Sequence, residues 1–345
     1  MRIRQLRALK GGEVLAESVL TEEKEILISK GTVLKPEYLD LLSFLGYDTV
    51  CIEDPYEKYE QPHRFLEKEV IYNYVNRVQK ILENHIYNGK GDLRSIESLA
   101  RDIINDITSA EDKIAIDFEE RSGNLYDHTI MVTFLAISVA KKLKLQDEDI
   151  QTIAIGSLLH DLGLRYITVP YINYDPEKST ATEAFEFKKH SILAYSALEN
   201  ELWLNAIAKK MILAHHERRD GSGFPLHQKT REIECNILQV CDVFDCMVSG
   251  MECKRTNVQS ALEYIIEAAD VLYDKKVVKA IEKIVARYPV GTKVKLNIGC
   301  NGIVIAQTED TNHPIVAELG EDGTLSSTYH NLKKDKKVFI LSIKE

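Results

Sequence analysis

The sequence predicts a mainly α protein: an all-helical central domain flanked by a small α+β domain at the N-terminus and a small β domain at the C-terminus. Three observations predict it. Apolar residues recur at helical spacing from about residue 71 onward, so that 127 to about 287 reads as a run of helices. Short apolar segments broken by glycines stand at both ends. A polar stretch with prolines, PYEKYEQPH at 55–63, separates the first end from the rest.

In chain order, EVLAESV and EILISKGTVL read as short strands with Gly punctuation. PEYLDLLSFLGY reads as a helix, with Pro36 in its first turn and Gly46 near its end. DTVCIED closes this small domain as a strand, giving a domain over 1–56. A helical linker is expected over 57–115. Its stripes are Ile71, Tyr74, Val75, Val78, Ile81 and Leu82, then Leu93, Ile96, Leu99, Ala100, Ile103, Ile104 and Ile107. Both are read as packing or dimerisation faces. The central helical domain is expected over 116–287. From 288, the segments YPVGTKVKLNIGCNGIVIAQ, HPIVAEL and KKVFILSI alternate in the β manner.

Composition excludes several functions. The net charge is -10, so a non-specific nucleic-acid binder is not expected, because a phosphate backbone needs a basic face. No stretch reaches the roughly 18 apolar residues of a membrane span. The start, MRIRQLRALKGGEVLAES, lacks the apolar core of a secretory signal. Six cysteines form no C-x-x-C pair, which suits a reducing cytoplasm.

The chemistry is carried by histidines. Of ten, five fall between 128 and 216: His128, His160, His190, His215 and His216. Asp161 and Asp242 stand out as their carboxylate companions. Neighbouring helical residues point about 100° apart, so one metal is hard to reach from both His215 and His216 unless the helix ends there. Two metals a few Å apart make the pair useful, and the two oxygens of Asp161 suit a bridge. With Asp161 and a shared hydroxide each counted twice, the set fills about ten of the twelve positions of two octahedral ions, leaving two for substrate. Imidazole and carboxylate without thiolate favour iron or manganese. A pair roughly 3.5–4 Å apart activates a bridging water and clamps a phosphate for in-line attack.

HDLG at 160–163 together with HHERRDGSGFP at 215–225 makes the pattern specific. It resembles the HD-GYP family, a branch of the HD phosphohydrolase superfamily whose members carry HDIGK, a lone His, HHERxDGSGYP and ADxFDA. Here these read HDLGL, His190, HHERRDGSGFP and CDVFDC, over about 120–265. The resemblance implies an HD-type helical fold and a bacterial signalling phosphodiesterase. Its substrate would be cyclic di-GMP or a related cyclic dinucleotide, cleaved to pGpG or GMP through a binuclear metal-activated hydroxide. It implies His128, His160, Asp161, His190, His215, His216 and Asp242 as metal ligands, with His160 and Asp161 catalytic. Asp245 and Asp220 are expected to brace ligands and loop. Trinuclear members carry a Glu where this chain has Asn124, so two divalent ions are expected, Fe or Mn.

The chain departs from the family in its phosphate contacts. Leu164 replaces the Lys after HDIG, Met251 replaces an Arg after DxFDA, and Phe224 replaces the Tyr of GYP. Lys254 with Arg255 beside it, Arg165, Gly221, Gly223 and Phe224 are the substrate-binding candidates. The alternative is a catalytically weak or inactive sensor of cyclic dinucleotides, or a signalling interaction module. A diguanylate cyclase-type protein partner and a homodimer are left open.

Overall fold

The computed structural model describes residues 2–21, 25–47, 49–53, 68–88, 93–109, 116, 118, 123–320 and 323–344. The boundary read at 55–63, with His63, lies outside these residues. The described residues fall into two compact units. One draws on 64–114 and 123–285, the other on 1–63, 115–122 and 286–345.

The N-terminal part of the latter unit pairs β1 (Arg2–Gln5) with β4 (Thr49–Ile52) in antiparallel register. β2 (Val19–Leu20) pairs with β3 (Ile26–Ile28). Between them runs α1 (Pro36–Phe44), where Pro36 fits the first turn because its fixed φ is already helical. Leu15, Leu34 and Leu42 are fully buried beneath these elements.

The helical unit begins with α2 (Lys68–Asn88) and α3 (Ser95–Ser109). It continues through α4 (Leu125–Lys142), α5 (Asp147–Leu159), α6 (Ala181–Lys188) and α7 (His190–Leu198). α8 (Ala206–Ala214), α9 (Ile233–Ser249), α10 (Val258–Glu267) and α11 (Lys275–Ile284) complete it. The apolar stripes of α2 and α3 are spent inside this unit, against α4 and α5: Val78, Leu82, Ile96, Leu99 and Ile103 have almost no exposure. α5 is buried on every face from Ile153 to Leu159, so it threads the middle of the bundle and delivers its C-terminus to the interior. Asn124, Thr180, Asn205, Asn257 and Asp274 cap their helices by accepting from backbone N–H groups.

The C-terminal sheet is antiparallel, with strand order β8-β7-β6-β5-β9. Its strands are β5 (Lys293–Leu296), β6 (Asn301–Ala306), β7 (Ile315–Leu319), β8 (Leu325–Asn331) and β9 (Ile340–Ile343). Val294, Leu296, Val304 and Val316 form its core. β8 was not among the expected strands. It is an edge strand of sequence LSSTYHN with no fully buried residue, so it lacks the buried apolar alternation that marks a strand.

Candidate metal centre

Five segments of the helical unit bring their polar side chains to one buried point. α4 supplies His128 from its first turns, and α9 supplies Asp242 and Asp245. His160 and Asp161 follow the end of α5, and His190 opens α7. α8 ends at Ala214, so His215 and His216 lie just beyond it and are released from helical geometry. That is the circumstance in which adjacent histidines can face one point. All eight side chains are buried, His216 the least so at 7% exposure.

The imidazoles are oriented by their outer nitrogens. Nδ1 of His160 donates to the Ser157 carbonyl at 2.7 Å, that of His190 to Phe187 at 2.8 Å, and that of His215 to Ile212 at 2.7 Å. Each acceptor lies three residues earlier, where a helix end leaves carbonyls without backbone partners. His128 Nδ1 meets Asp245 Oδ2 at 2.7 Å. These bonds place a proton on Nδ1 and turn the Nε2 atoms inward.

The inward atoms fall into two groups. In the first, Nε2 of His128 and His160 are 3.4 Å apart, and Asp242 Oδ1 is 3.3 Å from the former and 3.6 Å from the latter. In the second, His190 Nε2 is 3.1 Å from His215 Nε2 and 2.9 Å from His216 Nε2. Asp161 reaches both groups. Its Oδ2 is 3.4 Å from His128 and His160, while its Oδ1 is 3.5 Å from His215 and 3.8 Å from His190.

The electrostatics are those of a site built for cations. Both Asp161 oxygens are buried without a hydrogen-bond partner, and burying an uncompensated carboxylate is costly. Burial opposes ionisation of Asp161 and Asp242, yet the surrounding histidines hold both well below the usual carboxylate range. Burial would also lower His128, but Asp161, Asp242 and Asp245 outweigh it and raise this histidine well above its ordinary value. His190, with less carboxylate support, is driven by burial to about 4, and His216 falls well below its ordinary value. Lone pairs packed this closely, with orphaned carboxylate oxygens between them, fit divalent metals of the borderline N/O class.

Two donors in the cluster were not read from the sequence. Cys246, one turn after Asp242 on α9, lies with Sγ 3.4 Å from Asp242 Oδ1. Its i,i+4 spacing from Asp242 was a usable signal. Glu252 sits with Oε2 3.1 Å from His216 Nε2 and Oε1 3.6 Å from His190 Nε2. No periodicity points to it, because it comes from the turn after α9, where Gly250 is left-handed and the backbone reverses.

The loop that follows His216 is shaped by its own residues. Glu217, fully buried, accepts from the N–H groups of Leu226 at 2.7 Å and Gln228 at 2.9 Å. Asp220 accepts from the backbone and hydroxyl of Ser222. Gly221 has φ +88, and a Cβ at Gly223 would lie 2.4 Å from the His216 carbonyl, so neither position suits a side chain. Phe224 stacks on His216 with centroids 4.5 Å apart.

The expected cations are distributed unevenly. Lys254 is exposed and Arg255 is buried to 7% exposure. Arg165 turns to α2 instead, where Nη2 donates to Glu83 at 3.2 Å and to the Tyr87 hydroxyl at 2.8 Å. Leu164 and Met251 are buried apolar residues. Asn124 is spent as the cap of α4, accepting from Tyr126 and Asp127. His313 and His330 pair with Asp310 and Glu318 in the other unit.

Residues 99–277 match the HD domain family. The chain is 32% identical over 185 residues to the cyclic di-GMP phosphodiesterase PA4108 of Pseudomonas aeruginosa, covering 53% of this chain and 44% of that protein. It is 30% identical over 174 residues to the cyclic di-GMP phosphodiesterase response regulator RpfG of Xanthomonas campestris, covering 49% and 46%. With the 3'3'-cGAMP-specific phosphodiesterase 2 of Vibrio cholerae it shares 26% identity, over 68% of this chain and 42% of that one. The chain thus spans less than half the length of these relatives. Among solved structures, Bd1817, an HDG"Y"P protein of Bdellovibrio bacteriovorus, superposes with a TM-score of 0.54 at 16% identity. That alignment covers 81% of this chain and 97% of the other, a likeness of fold. No helix among the described residues is long and apolar enough to cross a membrane.

Proposed function

The chain belongs to the HD domain family, and from that premise we propose that it is a metal-dependent phosphodiesterase acting on cyclic di-GMP or a related cyclic dinucleotide. The observation that carries the proposal is Asp161, whose two oxygens address two separate histidine groups from one buried carboxylate. In this reading His128, His160 and Asp242 would hold one divalent ion, and His190, His215 and His216 the other, with Asp161 in reach of both groups. Divalent ions bound there lower the pKa of water and neutralise phosphate charge.

The chain's own residues do the rest. Asp245 fixes the His128 ring through Nδ1, as the carbonyls of Ser157, Phe187 and Ile212 fix those of His160, His190 and His215. Phe224 backs His216 and forms a wall of the site. Gly221 and Gly223 let the loop backbone turn tightly beside the centre, and Lys254 with Arg255 is the proposed phosphate-binding pair. We take the catalytic part to be 116–287, preceded by the helical segment 57–115 and followed by the β domain from 288.

A second reading is favoured by one observation: Leu164 and Met251 are buried, and Arg165 is engaged by Glu83. A site with its ligands intact and its phosphate cations reduced suits a sensor that binds a cyclic dinucleotide with little turnover. Hydrolysis of cyclic di-GMP by protein prepared anaerobically with Fe(II) or Mn(II), with metal counted in the same sample, separates the two. About two metals per chain with pGpG or GMP as product supports the enzyme. Two metals with a bound but uncleaved dinucleotide supports the sensor.

A further inference from the structure

Resting on the two-metal reading above, we propose that Glu252 is an eighth metal ligand, delivered by the turn after α9 to the ion held by His190 and His216.

The geometry singles this residue out. Its carboxylate donor atoms lie within 4.8 Å of donors of Asp161 and His190 on one side, and of His216 and Asp242 on the other. The side chain is 5% exposed, and Oε1 is buried without a hydrogen-bond partner. The neighbours that do approach it are imidazole nitrogens and the Cys246 thiol, with Sγ 3.8 Å from Oε2. Among the described residues no lysine or arginine forms an ion pair with it. Three carboxylates therefore converge on one buried volume, an arrangement that a pair of divalent cations neutralises.

The backbone is committed to this placement. Glu252 is left-handed, with φ +56, a conformation uncommon for a residue with a side chain. It is held there by its N–H donating to the Tyr171 carbonyl at 2.7 Å and by the Ile172–Met251 bridge. Asn173 N–H donates to the Gly250 carbonyl at 2.6 Å, so the turn is clamped on both sides of the residue. The consequence for the reaction is specific. One coordination position otherwise open to a substrate oxygen is taken by a protein carboxylate, and the site carries one more negative charge against an anionic substrate.

The test is metal binding without any nucleotide. Metal-free protein is titrated with Co(II), following stoichiometry, affinity and the visible absorption of the ion, for the unaltered chain, Glu252→Gln and Glu252→Asp. Circular dichroism of the metal-free forms shows which of them fold. The expected result is two ions for the unaltered chain, and a loss of about tenfold or more in affinity for one ion in Glu252→Gln, with a changed spectrum. Glu252→Asp, one methylene shorter, is expected to weaken the same ion less and alter its spectrum, and it carries the test alone if the Gln variant does not fold. Two ions bound with unchanged affinity and spectrum in a folded variant overturn the proposal. An unaltered chain that binds two ions here but fails the separate cyclic di-GMP hydrolysis assay retires the phosphodiesterase reading, while the two variants' titrations still decide Glu252. A chain that binds none overturns both.

Discussion

Gly163 lies so close to His190 that a Cβ added to it would stand 1.8 Å from the His190 carbonyl oxygen. The turn that carries His160 and Asp161 is thereby seated directly on the start of α7. The glycine of HDLG is a spacer between two ligand-bearing segments, since no side chain fits the gap.

Gly163→Ala is therefore expected to push the 160–166 turn away from α7. Because the obstacle is backbone, the strain cannot relax through a rotamer, and a loss of about 3 kcal/mol or more in stability is expected. Chemical denaturation measures it. Metal content should fall in parallel, as the two histidine groups separate.

Asp245→Asn keeps the shape of the side chain but removes the charge that holds the His128 ring. Metal affinity is expected to drop about 10- to 100-fold with the fold retained. Competitive titration against a chelator reads this, and an unchanged affinity would deny Asp245 its orienting role.

Proton release on metal binding follows from the shifts within the site. In the metal-free chain the facing carboxylates outweigh burial and keep His128 protonated near neutrality. A cation must displace that proton, so metal loading at about pH 7 releases protons and tightens as pH rises. His190, lowered to about 4, is already neutral there and contributes none. Calorimetric titrations in buffers of different ionisation enthalpy give the number released.

Glu217→Ala leaves the N–H groups of Leu226 and Gln228 without their acceptor. Bonds to a charged group are worth about 1.5–3 kcal/mol each, so for the two a stability loss of about 3–6 kcal/mol is expected. The segment 217–228 should become the first site of limited proteolysis, a readout the Asp245 variant should not share.

The sequence made the helical centre legible because its periodicity is strong and its ligands sit at segment ends marked by unusual residue pairs. HD and HH both fall where a helix stops, and stopping is what lets adjacent residues converge. β8 was illegible because both of its faces remain accessible at a sheet edge. Glu252 was illegible for a different reason. Its place depends on a left-handed turn clamped by residues some eighty positions earlier, and no local pattern encodes that. Arg165 stood beside the motif in sequence, but Glu83 and Tyr87 on α2 claim it in space.

His160 and His215 each stand at the C-terminal end of a helix, α5 and α8. A helix gathers about half an elementary negative charge at that end. Two such poles aimed into a dry interior form a standing field that draws cations inward and repels anions. The field ranks the order of arrival. Under the proposed function this would put metal first, with a phosphate diester to follow once the ions had reversed the sign of the potential it meets.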